Sequence, residues 1–291
     1  MTTLIAPPVA APSFPASADI DAIIRLALAE DVGRGDLTTE ATVSQGTNAQ
    51  AEILQKSPGV VCGLPVVEAV FRHLHPRVQV TPSVAEGSFA DGRRVVARVD
   101  GPASAILTGE RTALNFLQRL SGVASASQRA VELVAGTGAT VIDTRKTTPG
   151  LRVLEKYAVR VGGAHNHRAG LDDGFLIKEN HIRAAGGIAP AVRAAQHRAA
   201  PGQVVEVEVT TLDELDEALA AGASLILLDN FSPEQMRAAV AHARGRARLE
   251  ASGGIGLDNL ADVARTGVDF ISLGALTHSA GVLDFSLEIV A

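Results

Sequence analysis

The sequence of 291 residues has one cysteine and no tryptophan, and both shortages narrow what the protein can be. Cys62 has no second cysteine with which to form an internal disulfide, which fits a reducing cytoplasm as the expected location. The same residue lies in the apolar run 60–63, and this predicts a small buried side chain rather than a catalytic thiol.

Basic charge, aromatic rings and long apolar runs are also scarce. A formal net charge of -6 and an aromatic content of 3% argue against nucleic-acid binding, which needs a basic surface and stacking rings. No apolar run approaches the length of a membrane-spanning helix, so we expect no membrane partner. Residues 1–17 are rich in Ala and Pro and lack the features of a signal peptide, which predicts a disordered tail.

Helices and strands in the first part of the chain are predicted from periodicity. Apolar residues at helical spacing predict a helix that Asp19 caps. A second helix is expected from Gly109 to Gly122, with Arg111 in its first turn, where the helix dipole disfavours a cation. Either solvent or a local anionic partner could account for Arg111. Short strands are predicted at 51–54, 78–80 and 94–99, with a helix near 65–73.

After about residue 138, short apolar strands alternate with amphipathic helices. Two helix starts carry capping signals, Thr211 with Glu214 and Ser232 with Gln235. This alternation predicts parallel strands joined by right-handed crossovers, in a TIM-like barrel or a doubly wound sheet. No Gly-x-Gly-x-x-Gly follows an early strand, which favours the barrel. Seven strands are expected, at 140–143, 158–161, 174–177, 204–209, 224–229, 248–252 and 269–273.

Cations are concentrated in a part of the chain that is rich in glycine and follows short apolar runs. Their spacing is not that of a solvated helix face, which predicts positions at strand ends. In a barrel, the loops after the carboxyl ends of the strands hold the working residues. We therefore expect a pocket for a small, highly anionic substrate, formed by Arg145, Lys146, His165, His167, Arg168, Lys178 and His181.

Carboxylates and glycines follow the later strands. Glu208 and Asp229 end neighbouring strands and predict a site for Mg²⁺, a hard ion that takes oxygen ligands; Glu206 and Glu208 could alternatively form one solvated face. Gly253 and Gly254, before a helix expected near residue 257, predict a phosphate site that Ser252, Ser272 and Gly274 complete. No Cys or His spacing suggests zinc.

Several ordered motifs of this chain together resemble the quinolinate phosphoribosyltransferase family, the carboxylating nicotinate-nucleotide pyrophosphorylases of NAD biosynthesis. The resemblance covers nearly everything beyond the proline-rich tail. One departure is Ala164, where the family usually has a glycine. The motifs are EDVGRGDLTT at 30–39, ERTALN at 110–115, DTRKTTPG at 143–150, GGAHNHRAGL at 162–171, LIKENH at 176–181, VEVEV at 205–209, LDNF at 228–231 and ASGGI at 251–255.

The resemblance implies an N-terminal α/β sandwich domain packed on an open, seven-stranded α/β barrel. We place the first domain at 18–125, rejoined by about 276–291, and the barrel at 126–275. It also implies a homodimer in which Arg111 enters the neighbouring subunit's site.

The resemblance further implies a role for each site residue. Quinolinate would be held by Arg111 of the neighbouring subunit and by Arg145, His167 and Arg168. Thr144 would also bind substrate. Lys146 and Lys178 would lie between its carboxylates and the pyrophosphate, and Glu208 and Asp229 would hold the ribose hydroxyls and Mg²⁺-pyrophosphate. These last four would be the catalytic residues. The 5′-phosphate would bind the loops that contain Ser252, Gly253, Gly254, Ser272 and Gly274.

The expected reaction is Mg²⁺-dependent transfer of phosphoribose from phosphoribosyl pyrophosphate to quinolinate, with loss of CO₂ and without an organic cofactor. The pyridinium ring that forms can accept the electrons released by decarboxylation. Two alternatives stay open. One is a phosphoribosyltransferase for nicotinate itself or a related member of the fold, and the other is a non-catalytic barrel that senses phosphorylated metabolites.

Overall fold

A computed structural model describes residues 12–15 and 17–290, so most of the predicted tail lies outside the described residues. These residues group into two compact units. One unit contains Arg129–Thr147 and Ala164–His278, and the other contains residues 12–15, 17–128, Thr148–Gly163 and 279–290. The segment Thr148–Gly163 therefore groups with the first part of the chain, whereas the sequence division assigned all of 126–275 to the barrel.

The described strands are β1 (Asn48–Gln55), β2 (Gly59–Val60), β3 (Gln79–Pro82), β4 (Phe89–Ala90), β5 (Arg94–Pro102), β6 (Thr140–Ile142), β7 (Phe175–Ile177), β8 (Val205–Val209), β9 (Leu225–Asp229), β10 (Arg248–Ser252), β11 (Phe270–Ser272) and β12 (Phe285–Ile289). The described helices are α1 (Ala18–Val32), α2 (Leu37–Thr42), α3 (Leu64–Leu74), α4 (Ala103–Val134), α5 (Arg152–Val161), α6 (Glu179–Ala185), α7 (Ile188–Arg198), α8 (Leu212–Ala220), α9 (Pro233–Ala243), α10 (Leu260–Ala264) and α11 (Ala275–His278). Within this part of the chain, no helix combines the length and apolar character needed to cross a membrane.

An antiparallel sheet of order β12-β1-β5-β3 forms the centre of the unit that contains the first part of the chain. Its three predicted strands, at 51–54, 78–80 and 94–99, are confirmed. The register shifts where Ile53 pairs with Ala97 and Leu54 with Val95, which leaves Val96 as an extra residue. This bulge explains why Val96 and Ala97 are both buried and why the alternation in the sequence is imperfect.

Two helix starts in this unit differ from the sequence prediction. The cap of α1 is Ser17, whose side chain accepts a hydrogen bond from the Ile20 N–H, so the prediction of Asp19 as the cap is wrong. Asp19 lies in the first turn instead, where the helix dipole stabilises its negative charge. The helix expected from Gly109 begins at Ala103, which places Arg111 in the third turn, beyond the reach of the dipole argument.

A parallel sheet of order β6-β11-β10-β9-β8-β7 forms the centre of the other unit. The predicted α/β class, with a separate small domain, is confirmed, and the barrel is not closed. Parallel strands are buried on both faces, and β9 is accordingly buried over Leu225–Leu228. Ile142, Leu225 and Phe270 pack together as a core cluster in this unit.

One of the seven predicted barrel strands, at 158–161, is wrong. These residues form the end of α5, because Leu154, Tyr157 and Ala158 complete a buried face at helical spacing. In the structure, a single parallel bridge joins Ile142 of β6 to His165. This bridge lies between β6 and β7 in chain order, where the seventh strand was expected. His165, which forms it, precedes His167 by two residues.

Candidate active site

A cavity of about 310 Å³ lies in the parallel-sheet unit. It is lined by residues at the ends of several strands and in the loops that follow them. An α/β barrel holds its reactive groups at this edge of the sheet. The structure brings together at this cavity Thr144, Arg145, Lys146, His167, Arg168, Lys178, Glu208, Asp229, Ser252, Gly253 and Ser272. Leu176, Leu227 and Glu250, which the sequence did not single out, also line it.

Five predicted site residues do not line this cavity. His165 forms a backbone bridge with Ile142, and the Nδ1 of His181 accepts from the Lys178 N–H at 3.0 Å. Gly254 follows Gly253 directly, and Gly274 is near Lys146, since a Cβ at Gly274 would lie 3.1 Å from the Lys146 Cδ. Arg111 belongs to α4 in the other unit, and its side chain is 60% exposed. Its guanidinium is 3.9 Å from the carboxylate of Glu110, a loose exposed pair of little energetic weight.

Two arginines bring positive charge into the wall of the cavity. Arg168 is buried, and one of its terminal nitrogens donates to the Gly174 carbonyl at 2.9 Å. Its Nε is also buried and has no hydrogen-bond partner among the described residues. Burial lowers the pKa of Arg168, and the neighbouring charge of Arg145 lowers it further. An anion between these two guanidinium groups would relieve their repulsion and accept from the unpaired donor.

The loop that carries Arg168 is held by buried groups. Asp143 is fully buried; its Oδ1 accepts from the His167 N–H at 2.8 Å, and its Oδ2 accepts from the Asn166 amide at 2.7 Å. The His167 ring lies between the Arg168 N–H, 2.8 Å from Nδ1, and the Glu206 Oε2, 2.8 Å from Nε2. The loop is thus fixed on both sides of His167.

Three charged groups lie at the more exposed part of the cavity. The Lys178 ammonium and the Glu208 Oε2 are 2.8 Å apart, and the lysine is half exposed. Burial raises the pKa of Asp229, as does the negative charge of Glu208, while Asn230 donates to its Oδ2 at 2.8 Å. Two carboxylates that repel each other in this way form a region that favours a cation.

The donor set of Glu208 and Asp229 fits Mg²⁺ chemically. Both ligands offer hard oxygen atoms. Among the described residues, no third acidic or histidine side chain joins these two in a ligand cluster. That suits Mg²⁺, which keeps waters and phosphate oxygens in its coordination shell.

A glycine pair after β10 forms a backbone-lined corner of the site. Gly253 has φ +89, and a Cβ there would lie 2.3 Å from the Asn230 Oδ1, so only glycine fits. Gly254 has φ +63 with open space around it. The helix expected near residue 257 begins at Leu260 and has five residues, so the expected helix N-terminus is not adjacent to this pair. Anion binding here would depend on the backbone N–H groups of the turn.

Sequence reasoning missed two buried carboxyl groups. Glu206 and Glu250 are each 1% exposed, and the alternative of a solvated Glu206 is wrong. Burial raises the pKa of Glu206 to about 7. Burial, followed by the charge of Glu206, raises the pKa of Glu250 well above its usual range. The signal available in the sequence was an acidic residue flanked by apolar residues within a central strand, as in Leu249-Glu250-Ala251.

Comparison with known families matches almost the whole chain. The family model described as "Quinolinate phosphoribosyl transferase, C-terminal domain" matches residues 123–288. The model of the N-terminal domain of the same family matches residues 36–121.

Individual relatives agree with this match. A nicotinate-nucleotide pyrophosphorylase [carboxylating] of Homo sapiens is 46% identical, with 88% of this chain and 87% of the relative covered. A probable nicotinate-nucleotide pyrophosphorylase [carboxylating] of Bacillus subtilis is 44% identical, with 89% and 90% covered. The solved structure of the nicotinate-nucleotide pyrophosphorylase from Francisella tularensis superimposes with a TM-score of 0.89 at 42% identity, with 94% and 96% covered. The chain therefore belongs to the quinolinate phosphoribosyl transferase family and is an enzyme of the pentosyltransferase class.

Proposed function

We propose that this enzyme transfers phosphoribose from phosphoribosyl pyrophosphate to quinolinate in an Mg²⁺-dependent reaction that releases pyrophosphate and CO₂ and gives nicotinate mononucleotide. The observation that carries the proposal is the distribution of charge in the cavity. The paired guanidinium groups of Arg145 and Arg168 share it with the carboxylates of Glu208 and Asp229. A dicarboxylate beside a metal-bound polyphosphate matches both features.

The arginines would bind the two carboxylates of quinolinate. The buried Nε of Arg168, which lacks a partner among the described residues, supports a direct contact, and Arg145 adjoins it. Each charge-assisted hydrogen bond contributes roughly 1.5–3 kcal/mol. Several such bonds in one site offset the repulsion between a dicarboxylate and a polyphosphate.

Phosphoribosyl pyrophosphate would occupy the rest of the cavity. Glu208 and Asp229 would bind the ribose hydroxyls and would hold Mg²⁺, while Lys146 and Lys178 would contact the pyrophosphate. The turn at Ser252, Gly253 and Gly254, together with Ser272 and Gly274, would bind the 5′-phosphate. Mg²⁺, when bound, neutralises charge that develops on the leaving pyrophosphate.

The ring nitrogen of quinolinate would then form a bond to the ribosyl carbon as the bond from that carbon to pyrophosphate breaks. Glu208 and Asp229 would stabilise the positive charge that develops on the ribose, and the two lysines would stabilise the departing anion. The product ring carries a positive nitrogen. The ring accepts the electron pair when the adjacent carboxylate leaves as CO₂, and a proton from solvent replaces it, so no organic cofactor is needed.

A turnover assay tests this proposal directly. With quinolinate, phosphoribosyl pyrophosphate and Mg²⁺, mass spectrometry should detect nicotinate mononucleotide and an equal amount of CO₂. Nicotinate should be a poor acceptor, because it lacks the second carboxylate. Equal or faster turnover of nicotinate would instead favour a nicotinate phosphoribosyltransferase. Thermal stabilisation by the ligands without turnover under any divalent metal would favour a non-catalytic sensor.

The proposal extends to a cytoplasmic homodimer in which the partner's copy of Arg111 completes the quinolinate site. The exposed side chain of Arg111 and its weak pairing with Glu110 support this role. Arg111→Ala and Arg145→Ala should each abolish activity. Random mixing of the two should restore about one quarter of wild-type activity, since half the dimers gain one intact site. Failure of any mixture to regain activity would contradict the shared site.

A further inference from the structure

Two residues that line the cavity, His167 and Glu250, and the adjacent buried residue Glu206 are titratable groups that the proposed reaction does not use. His167 is 9% exposed, and Glu206 and Glu250 are each 1% exposed. Their potential ligand or hydrogen-bonding atoms all lie within 4.8 Å of one another. Glu206 is on β8 and Glu250 on β10, the two strands on either side of β9. Groups from separate strands therefore converge on one imidazole.

The hydrogen bonds of His167 determine where its proton lies. Its Nδ1 is 2.8 Å from the backbone nitrogen of Arg168, which can only donate, so Nδ1 must be the acceptor. The single ring hydrogen of a neutral imidazole then lies on Nε2, 2.8 Å from the Glu206 Oε2. Both ring nitrogens are engaged within the protein. In this arrangement the ring has no free N–H to donate to a bound carboxylate.

Glu250 lies next to this pair and shares its burial. Both oxygens of Glu250 and the Oε1 of Glu206 are buried without a hydrogen-bond partner among the described residues. The Oε2 of Glu250 is also 3.6 Å from the His167 Nε2, so Glu250 adjoins the same ring nitrogen that contacts Glu206. Burial raises the pKa of Glu250 well above its usual range, which favours the protonated form of Glu250. A neutral Glu250 can donate toward Glu206.

These contacts continue to the anion-binding arginine. Glu206 holds the ring of His167, the ring accepts from the Arg168 N–H, and Asp143 accepts from the His167 N–H. The backbone at residues 167–168 is thereby fixed by one buried group on each side. The backbone conformation at Arg168 determines the direction in which its side chain points. A small displacement of a binding group strongly reduces affinity.

We propose that Glu206 and Glu250 are positioning residues for quinolinate binding, which hold the imidazole of His167 as a neutral acceptor and through it fix the backbone of Arg168. His167 is then also a positioning residue rather than a ligand of the substrate. This inference rests on the proposed role of Arg168 in binding a dicarboxylate. The same three side chains could instead bind a divalent metal ion, and the experiment below separates these outcomes.

Three variants test the positioning role kinetically. Glu250→Gln keeps an N–H donor toward Glu206, whereas Glu250→Met has a similar length and no donor. Glu206→Met removes the acceptor for His167. At pH 8, we expect Glu250→Gln to change the KM for quinolinate less than about threefold, and the two Met variants to raise it by tenfold or more. Their KM for phosphoribosyl pyrophosphate should change less than about threefold. Glu234→Gln, at an exposed position on α9, is the matched control.

Nuclear magnetic resonance of the wild-type protein tests the tautomer independently of activity. The ¹⁵N signals of His167, assigned by comparison with His167→Asn, should show a neutral ring with its hydrogen on Nε2 at pH 8. A hydrogen on Nδ1, or a charged ring, would overturn the inference even if a Met variant fails to fold. Failure of the wild-type enzyme to use quinolinate would refute the proposed function but leave this measurement valid.

Two further results would overturn the proposal. If Glu250→Gln and Glu250→Met lower kcat equally and leave the KM for quinolinate unchanged, the pair has no role in substrate positioning. Elemental analysis provides the other test. One equivalent of a transition metal in the purified protein, lost in Glu250→Gln, would show that the carboxylates are ligands of an ion.

Discussion

Glu206 and Glu208 lie two residues apart on the same strand and face the same side of the sheet. They nevertheless differ in exposure to solvent and in the groups that they contact. The Glu208 side chain is 12% exposed and pairs with the half-exposed ammonium of Lys178, whereas Glu206 is buried against His167 and Glu250. The first is beside a half-exposed ammonium group, and the second is beside an imidazole and another carboxyl group.

Exposure and contacting groups thus give one residue type two different environments on the same strand. A partly exposed carboxylate with a lysine partner can attract a metal ion or stabilise positive charge in a reaction. A carboxyl group without water shares a proton and acts through fixed hydrogen bonds. We call the first region, Lys178, Glu208 and Asp229, the rim, and the second, His167, Glu206 and Glu250, the floor.

Removal of a rim carboxylate should have the largest effect on turnover. Asp229→Asn should lower kcat about 10²–10³-fold, because it removes a preformed charge that faces the developing positive charge. The melting temperature should change by less than about 2 °C, since Asp229 is partly exposed. Steady-state kinetics and calorimetry check both, with Asp262→Asn on the exposed surface as control. A large loss of stability at full kcat would reverse the assignment of rim and floor.

The turn beside the rim should be sensitive to one methyl group. Gly253→Ala should raise the KM for phosphoribosyl pyrophosphate more than about tenfold, because the added Cβ would overlap the Asn230 side chain and lie 2.9 Å from the Asn230 backbone nitrogen, which must shift. Gly254→Ala is the control, since it has positive φ but no atom within 4 Å, and a change of a few-fold is expected. Equal effects of both variants would show that backbone conformation, not crowding, limits this site.

Magnesium should distinguish the two regions. Glu208→Gln should raise the Mg²⁺ concentration for half-maximal activity about tenfold, because it removes one of two hard oxygen ligands. In Glu206→Gln the normalised Mg²⁺ curve should match that of the wild type. Activity is measured against free Mg²⁺ in each protein after chelation with EDTA. A shift of the Glu206→Gln curve alone would assign the metal to the floor.

The pH dependence of thermal stability should report on the buried carboxyl groups of the floor. The folded-state pKa of Glu206 is raised to about 7 from 4.5, so the folded protein binds the proton more tightly than the unfolded chain. Its contribution to stability is full below about pH 4.5 and is lost as pH rises through 7. The melting temperature of Glu206→Gln should therefore rise relative to wild type between pH 5 and 8, by roughly a few degrees. A constant difference across this range would contradict the raised pKa.

The smallest effect is expected for the rim ion pair on folding. Lys178 is half exposed, so Lys178→Met should change the free energy of unfolding by less than about 1 kcal/mol while it lowers turnover. Urea denaturation measures the first quantity and the assay the second. A loss of stability as large as that of Glu206→Met would contradict this prediction, because it would mean that the rim and the floor form one buried network.

Much of the fold was predictable, and the exceptions have physical causes. Six of the seven barrel strands were found because each is a short segment that contains apolar residues and is bounded by turn residues. The seventh failed because residues 158–161 are apolar in either conformation, and only the preceding Leu154 and Tyr157 reveal a helix. Ser17 and Asp19 are both good caps, and their order could be decided only by the backbone.

The residues of the candidate site also divide into those that the sequence predicts and those that it does not. Arg145, Lys178 and Asp229 were predictable from their position after strands, since parallel strands end at a common edge. Glu250 was missed because a single acidic residue in a strand does not reveal what faces it. The interaction of its carboxyl group with Glu206 depends on the alignment of β8, β9 and β10.

The sequence by itself determined the α/β class, the family and the strand ends that carry the cations, because these depend on local periodicity and on ordered motifs. Only the tertiary structure decided which carboxyl groups are buried, which nitrogen of His167 carries the hydrogen and which glycine admits no side chain. Those properties arise between residues far apart in the chain, where burial and distance, rather than residue type, set the charge.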